Sequence, residues 1–492
     1  MTAWTQIDIL QSDEPAAEFV LAFAGKDGPI PERDQPRLSL AIRHTGFAAQ
    51  PGQWLDVPPA KDTDARIILI GAPEIGTATP HDWASLGGNI VEAMGALRLE
   101  TARLSGGAAL ADDARLSAIL LGVLLHGFRP DTGRRHPDPT PWPQRLLIPP
   151  GREGARDQAL RTARAVNRAR AWVEAPANRL TPQAWAAELP AIFEPLGATL
   201  RIFDSAALQE MGASALLAVG RASEFPPLLA VVEWRGAPAR EGWDAVLVGK
   251  GMTFDSGGLN LKTAAPVIAR MGFDMGGGAA VLGAVELAAS RKAGCNVAAI
   301  VPMAENAVDG KSFRPGDVIQ SLGGLTIEIR NTDGEGRLVL ADGIAYGLKT
   351  YQPAHVVDIA TLTGMIAVAL LEEFAGLYAN NDALAAELDE AGRATGELVW
   401  RMPCQPNQDH VVETPVADVA NMSTFPGLLG TGLSAPVSGA KLLQKFVGDT
   451  PWAHIDIAGT VWATRRSAYG GNNATGYGVR LLDQWLRRFE RG

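Results

Sequence analysis

From residue 174 to the C-terminus, segments of strand character alternate with segments of helical periodicity, which limits the chain to a largely parallel sheet covered by helices on its faces. Strand character falls at 228–234, 245–248, 297–301, 326–329, 356–359 and 454–457, and helical character at 279–290 and 338–348. Upstream, residues 136–151 (HPDPTPWPQRLLIPPG) carry six prolines that break every neighbouring pattern and mark a domain boundary near residue 150. A chain of 492 residues also exceeds one ordinary compact domain. The expected architecture is α/β. A small N-terminal α/β domain spans 1–152, with a buried strand at 66–70 and amphipathic helices at 82–97 and 113–125. A larger C-terminal domain spans 153–492, with a mostly parallel sheet flanked by helices, and begins with an Arg- and Ala-rich connecting helix within 153–173.

Composition narrows the class of function. Hydrophobic residues make up 47% and charged residues 20%, the balance of a folded soluble protein. Two cysteines, Cys295 and Cys404, are too few for a disulfide framework and fit a reducing compartment. The N-terminus lacks the pattern of a signal peptide and no apolar run reaches membrane-spanning length, so a cytoplasmic protein without a membrane partner is expected. A net charge of -10 opposes a broad nucleic-acid-binding surface and favours small or peptide-like substrates.

Three segments can carry chemistry. In VLVGKGMTFDSGGLNLK (246–262) an apolar strand runs into a glycine-rich turn bearing Lys250, Asp255 and Lys262, where an open α/β sheet binds its ligands. A phosphate loop is excluded, because Asp244 and Gly251 stand where that motif needs glycine and Ser or Thr. In RMGFDMGGGAAV, Asp274 precedes three glycines and an apolar helix; alone, it reads more readily as a helix cap than as a ligand. In NTDGEGR (331–337), Asp333 and Glu335 lie two apart on a loop that follows the strand TIEIR, so both carboxylates can turn toward one point. Convergence of Asp255, Asp274, Asp333 and Glu335 would require divalent cations to offset their repulsion, and bridging carboxylates can hold a metal pair. None of the seven histidines lies in these loops and no HExxH helix occurs, which excludes the usual single-zinc peptidase.

VGKGMTFDSGGLNLK and NTDGEGRL resemble signatures of the leucyl aminopeptidase (cytosol aminopeptidase) family, the second with high specificity. Similarity continues in family order through EAPANRLTP (174–182), MGASALLAVGRAS (211–223), AENAVDGKSFRPGDVI (304–319), DIATLTG (358–364), PWAHIDIAGTVW (451–462) and ATGYGVRLL (474–482). The first 150 residues match by size and position only. The resemblance implies a pair of divalent ions, Mn2+ or Zn2+, bridged by Asp255 and Glu335, with Lys250 and Asp274 completing one site and Asp333 the other. Lys250 would have to coordinate as the neutral amine. It further implies Lys262 as catalytic electrophile, Arg337 as the catalytic cation anchoring a bicarbonate, and Met271, Thr361 and Gly364 as lining of the pocket for the first side chain. Taken singly, Lys250, Lys262 and Arg337 read as surface cations and Met271 as core.

Three departures from the family pattern stand out. The stretch from Lys262 to Asp274 is one residue longer than usual and contains Pro266; Gly272 replaces a common basic residue; Gly334 replaces the usual alanine of NTDAEGR. None removes a ligand. The implied function is removal of the N-terminal residue from peptides by a homohexamer. Two rivals share the same residues: a DNA-binding or structural role on the same hexameric scaffold, and a two-metal phosphoesterase.

Overall fold

In the computed structural model, the residues described are 6–9, 17–23, 35–59, 61, 66–129, 145–423, 436–465, 467, 470 and 473–491. The chain divides into two compact units, 1–167 with 463–473 and 168–462 with 474–492. The division falls inside the helix Glu153–Glu174, fifteen residues beyond the boundary at 152 that the prolines marked. Prolines 137–143 lie outside the described residues.

The first unit is built on six strands, β1 (Gln6–Ile9), β2 (Ala17–Phe23), β3 (Trp54–Val57), β4 (Ile67–Ala72), β5 (Thr101–Ser105) and β6 (Arg145–Ile148). Their order is β1-β6-β5-β2-β4-β3, parallel throughout except for β3 against β4. The run IILIGA of β4 is buried along its whole length, the pattern of a strand covered on both faces. The helix Pro80–Ala96 begins at a capping box between Thr79 and Asp82. It packs on the helix Asp113–His126 at glycine-limited distance: a Cβ at Gly87 would lie 2.0 Å from Ile119 O, and one at Gly122 would lie 1.9 Å from Ala84 O.

The second unit carries a nine-stranded mixed sheet. Its strands are β7 (Thr199–Phe203), β8 (Leu228–Arg235), β9 (Ala245–Gly249), β10 (Gly251–Asp255), β11 (Asn296–Asn306), β14 (Val356–Ala360), β15 (Ala375–Ala379), β16 (Val399–Arg401) and β18 (Trp452–Asp456). The order is β16-β15-β18-β14-β9-β11-β8-β7, with β10 pairing β11. The centre, β18-β14-β9-β11, is parallel, as expected; β8 pairs antiparallel with both β7 and β11, and β15 runs antiparallel to β18 and parallel to β16. Two helices cover opposite faces. Val246 and Val248 point to one face, where Gly347 and Gly343 of the helix Glu335–Tyr351 lie so close that a Cβ would come within 2.8 Å of each valine. Gly249 has the opposite parity and meets Gly277 of the helix Gly276–Ser290.

Two sequence expectations are corrected here. Residues 251–255 were expected in a glycine-rich turn but form strand β10, parallel to the end of β11; Gly251 is needed because a Cβ there would lie 2.6 Å from Pro302 O. The turn comes later, at 256–262. The strand in TIEIR was expected in the main sheet. It is β13 (Thr326–Glu328), which pairs instead with β12 (Val318–Gln320) and β17 (Val419–Ala420) in a separate three-stranded sheet.

Candidate active site

Parallel strands aim their carboxyl ends in one direction, and the polar residues of the second unit gather there. Lys250 directly follows β9, Asp255 closes β10 and Thr361 directly follows β14. Asp274 ends the short 3-10 turn Met271–Phe273, and Asp333 and Glu335 sit at the start of the helix Glu335–Tyr351. Asp274 is no helix cap: Met275 holds that position for the helix Gly276–Ser290, and the Asp274 carboxylate turns inward.

There it meets Lys250. The Lys250 ammonium lies 2.7 Å from Asp274 and 2.8 Å from Glu335, and donates to Thr361 O at 3.1 Å. Lys262 pairs with Asp255 at 2.7 Å and with Asp333. Oxygens of Asp255, Asp333 and Glu335 all lie within 4.8 Å of one another. Four of these groups are nearly sealed from water: Lys250, Asp255, Asp274 and Glu335 are at most 3% exposed. The structure thus brings six of the expected residues around one buried point.

Four carboxylates against two ammoniums leave the cluster short of positive charge. Burial, followed by repulsion from Glu335 and Asp255, pushes the Asp274 carboxyl up to about 8 despite the Lys250 ammonium beside it. The same causes push Asp333 to about 7. Burial also raises Asp255, but Lys262 and Lys250 outweigh it and hold that carboxyl below the usual range. Burial opposes the charge on both lysines, yet the carboxylates win and keep each protonated far above neutral pH. Glu335 Oε2 is buried with no hydrogen-bond partner among the described residues. Oxygen donors converging with an uncompensated charge and an unmet acceptor fit divalent cations.

The remaining expected residues surround this cluster. Arg337 is buried; its guanidinium donates to Asn421 O and, at 3.1 Å, to Ser438 Oγ. Burial pulls it down to about 10, against the pull of Glu335, so it stays cationic at neutral pH. Thr361, expected as pocket lining, donates its hydroxyl to Asp274 Oδ1 at 2.6 Å. Met271 lies three residues before Asp274 and is partly exposed. Gly364 opens the helix Gly364–Leu370, and a Cβ there would meet nothing within 4 Å.

Sequence reading missed Asn421. Its side chain accepts from Arg330 N at 2.8 Å and donates to Asn331 O at 2.6 Å, so it fixes the loop that carries Asp333. An alanine Cβ at 334 would sit 2.8 Å from Asn421 Nδ2, which gives the glycine of NTDGEGR a physical reason. Asn421 follows β17 and reaches the loop across 90 residues of sequence.

Residues 167–483 match the family model described as cytosol aminopeptidase family, catalytic domain. The chain belongs to the cytosol aminopeptidase family. It is a metal-dependent aminopeptidase, a hydrolase of the leucyl aminopeptidase type. Its relatives include "Probable cytosol aminopeptidase 1" of Shewanella oneidensis, 37% identical over 468 residues, covering 93% of this chain and 90% of that one. Among solved structures, the bottromycin maturation enzyme BotP in complex with Mn superposes with a TM-score of 0.84 at 31% identity, covering 97% of this chain and all of that one. A tomato leucine aminopeptidase mutant superposes with a TM-score of 0.82 at 31% identity, covering 99% and 96%. No helix among the described residues is long and apolar enough to cross a membrane.

Proposed function

We propose that the chain removes the N-terminal residue of peptides at a two-metal centre held by Lys250, Asp255, Asp274, Asp333 and Glu335. The observation that carries this reading is the cluster of four carboxylates, three of them buried, whose ion-pair partners among the described residues are Lys250 and Lys262. Bound divalent ions, Mn2+ or Zn2+, would supply Lewis acidity and make hydroxide available near neutral pH. Lys250 must give up a proton to serve as a ligand, so binding would release acid.

Lys262, paired here with Asp255 and Asp333, is the cation we assign to the substrate. With Asp255 and Asp333 holding divalent ions, its ammonium would stabilise the negative oxygen that develops on the scissile carbonyl. Arg337 presents a planar guanidinium, suited to hold a bicarbonate that moves the proton to the leaving amine. Met271, Thr361 and Gly364 line the pocket for the first side chain. Residues 153–492 form the catalytic domain and 1–152 an N-terminal domain without chemistry. The working form is a cytoplasmic homohexamer.

The test uses the full chain, stripped with chelator and reloaded with Mn2+, and a panel of aminoacyl-anilides. Chelation abolishes turnover and Mn2+ restores it. Asp255→Asn and Glu335→Gln each remove the restored activity. Full Mn2+-dependent activity in either variant would overturn the assignment, and turnover of phosphate esters in place of anilides would replace the reaction class.

A further inference from the structure

The residue that ends β11, Asn306, belongs to neither ligand loop, yet its side chain touches both. It is fully buried. Nδ2 donates to Asp255 Oδ1 at 2.8 Å and to Thr332 O at 3.0 Å. Both partners are acceptors, so the amide can face only one way. Its backbone oxygen accepts from Ser256 N at 3.0 Å and Ser256 Oγ at 2.6 Å, which ties down the residue after Asp255. The register pairs Asp255 with Asn306 directly across β10 and β11.

The amide oxygen tells more. Asn306 Oδ1 is buried with no hydrogen-bond partner among the described residues. An unmet buried acceptor is costly, so a purely structural role would be served better by a side chain without it. What the amide does provide is two donors in one plane, one for Asp255 and one for the main chain immediately before Asp333. The opposite side is closed as well. A Cβ at Gly258 would lie 2.9 Å from both Asn306 Oδ1 and Thr332 Oγ1, and its φ of +65° also demands glycine. Thr332 in turn donates to Gly257 O at 2.7 Å and accepts from Asn260 N at 2.8 Å.

We propose that Asn306 is a positioning residue for the metal centre: it fixes the rotamer of Asp255 and sets the distance between the Asp255 loop and the Asp333–Glu335 loop. The assignment rests on the two-metal reading above. With Oδ1 held by Asn306 and by Gly257 N at 2.9 Å, only Oδ2 is left to face Lys262 and an incoming ion. Asn306 thereby chooses which oxygen of Asp255 points into the centre.

The experiment measures Mn2+ binding by calorimetry on the stripped full chain, together with kcat and KM for leucyl-anilide at limiting and excess Mn2+. Asn306→Ala and Asn306→Asp are compared with the unaltered protein; the second keeps the shape and loses the donors. Loss of a partner that orients a ligand weakens Mn2+ affinity by about 10- to 100-fold. At limiting Mn2+ kcat falls while KM stays unchanged, and excess Mn2+ restores kcat. Gly258→Ala, which presses on Asn306 from the other side, gives the same pattern and carries the test should the Asn306 variants fail to fold. Folded variants that bind Mn2+ as tightly as the unaltered protein would refute the Asn306 assignment alone. An unaltered protein that binds no Mn2+ would refute the two-metal reading beneath it.

Discussion

Replacing Thr361 by valine removes one hydroxyl and keeps the side-chain shape, so it isolates what that hydroxyl does. Thr361 Oγ1 donates to Asp274 Oδ1 at 2.6 Å, with Thr361 5% and Asp274 3% exposed, so water has little room to replace the lost donor. Backbone contacts survive, including Thr361 O with the Lys250 ammonium. A hydrogen bond to a charged group is worth about 1.5–3 kcal/mol. At about 1.4 kcal/mol per factor of ten, Thr361→Val weakens Mn2+ binding by about 10- to 140-fold. Part of that loss appears as proton competition. The hydroxyl favours the ionised carboxylate, and Asp274 already sits near 8 because of its burial, so removing the donor raises it further. Calorimetric titration of stripped protein with Mn2+ over a series of pH values separates the two: the part of the gap that narrows as pH rises is proton competition, and the part that persists is the direct loss. Unchanged Mn2+ affinity, together with an altered preference among aminoacyl-anilides, would show that Thr361 acts as pocket wall and not as the holder of Asp274.

Two further substitutions test the frame around the site. At Gly277 a Cβ would lie 2.0 Å from Ile359 O, a backbone atom of β14 that cannot yield, so Gly277→Ala costs about 3 kcal/mol or more and lowers the melting temperature; Gly364→Ala, which meets nothing within 4 Å, leaves melting unchanged and serves as control. Asp342 accepts from Leu216 N at 2.9 Å and Leu322 N at 2.8 Å, and burial lifts its carboxyl from 3.8 to about 6 despite these bonds. The folded state therefore holds this proton more tightly than the unfolded state, so the stability it contributes is full below pH 4 and is lost as pH rises through 6. The loss is roughly 3 kcal/mol. Chemical denaturation at pH 4 and pH 7 checks this: the advantage of the unaltered chain over Asp342→Asn shrinks by that amount between the two, and parallel profiles would contradict it.

What could be read from the chain alone was local. Val246–Gly249 announces a buried strand by its apolar run, and NTDGEGR announces an acidic pair ahead of a helix, because both patterns are complete within a few residues; the loop expected there is wound into the 3-10 turn Thr332–Gly334 and the first turn of the helix Glu335–Tyr351. The central parallel strands were legible for the same reason. β13 was not, since its partners β12 and β17 are chosen by pairing across the chain, and a short run such as Thr326–Glu328 carries no mark of the sheet it joins. Gly251–Asp255 misled in the opposite way. Glycine there was read as a turn signal, whereas the structure uses it for close approach of a strand to Pro302.

Asp274 shows where local reading ends. An acidic residue ahead of a glycine-led helix is what a cap looks like, and the sequence around it offers nothing more. Whether it caps or ligates depends on a competing partner. That partner, Thr361, lies 87 residues away and arrives only because β14 runs parallel to β9 and delivers residue 361 beside residue 250. Asn306 and Asn421 reach their loops over 51 and 90 residues in the same manner. In this chain the charged residues stand beside visible glycines, while the neutral side chains that hydrogen-bond to them or to their loops lie at strand ends far away in sequence. Such residues leave no local trace, because an asparagine at a strand end is an ordinary residue until the neighbouring strand is known.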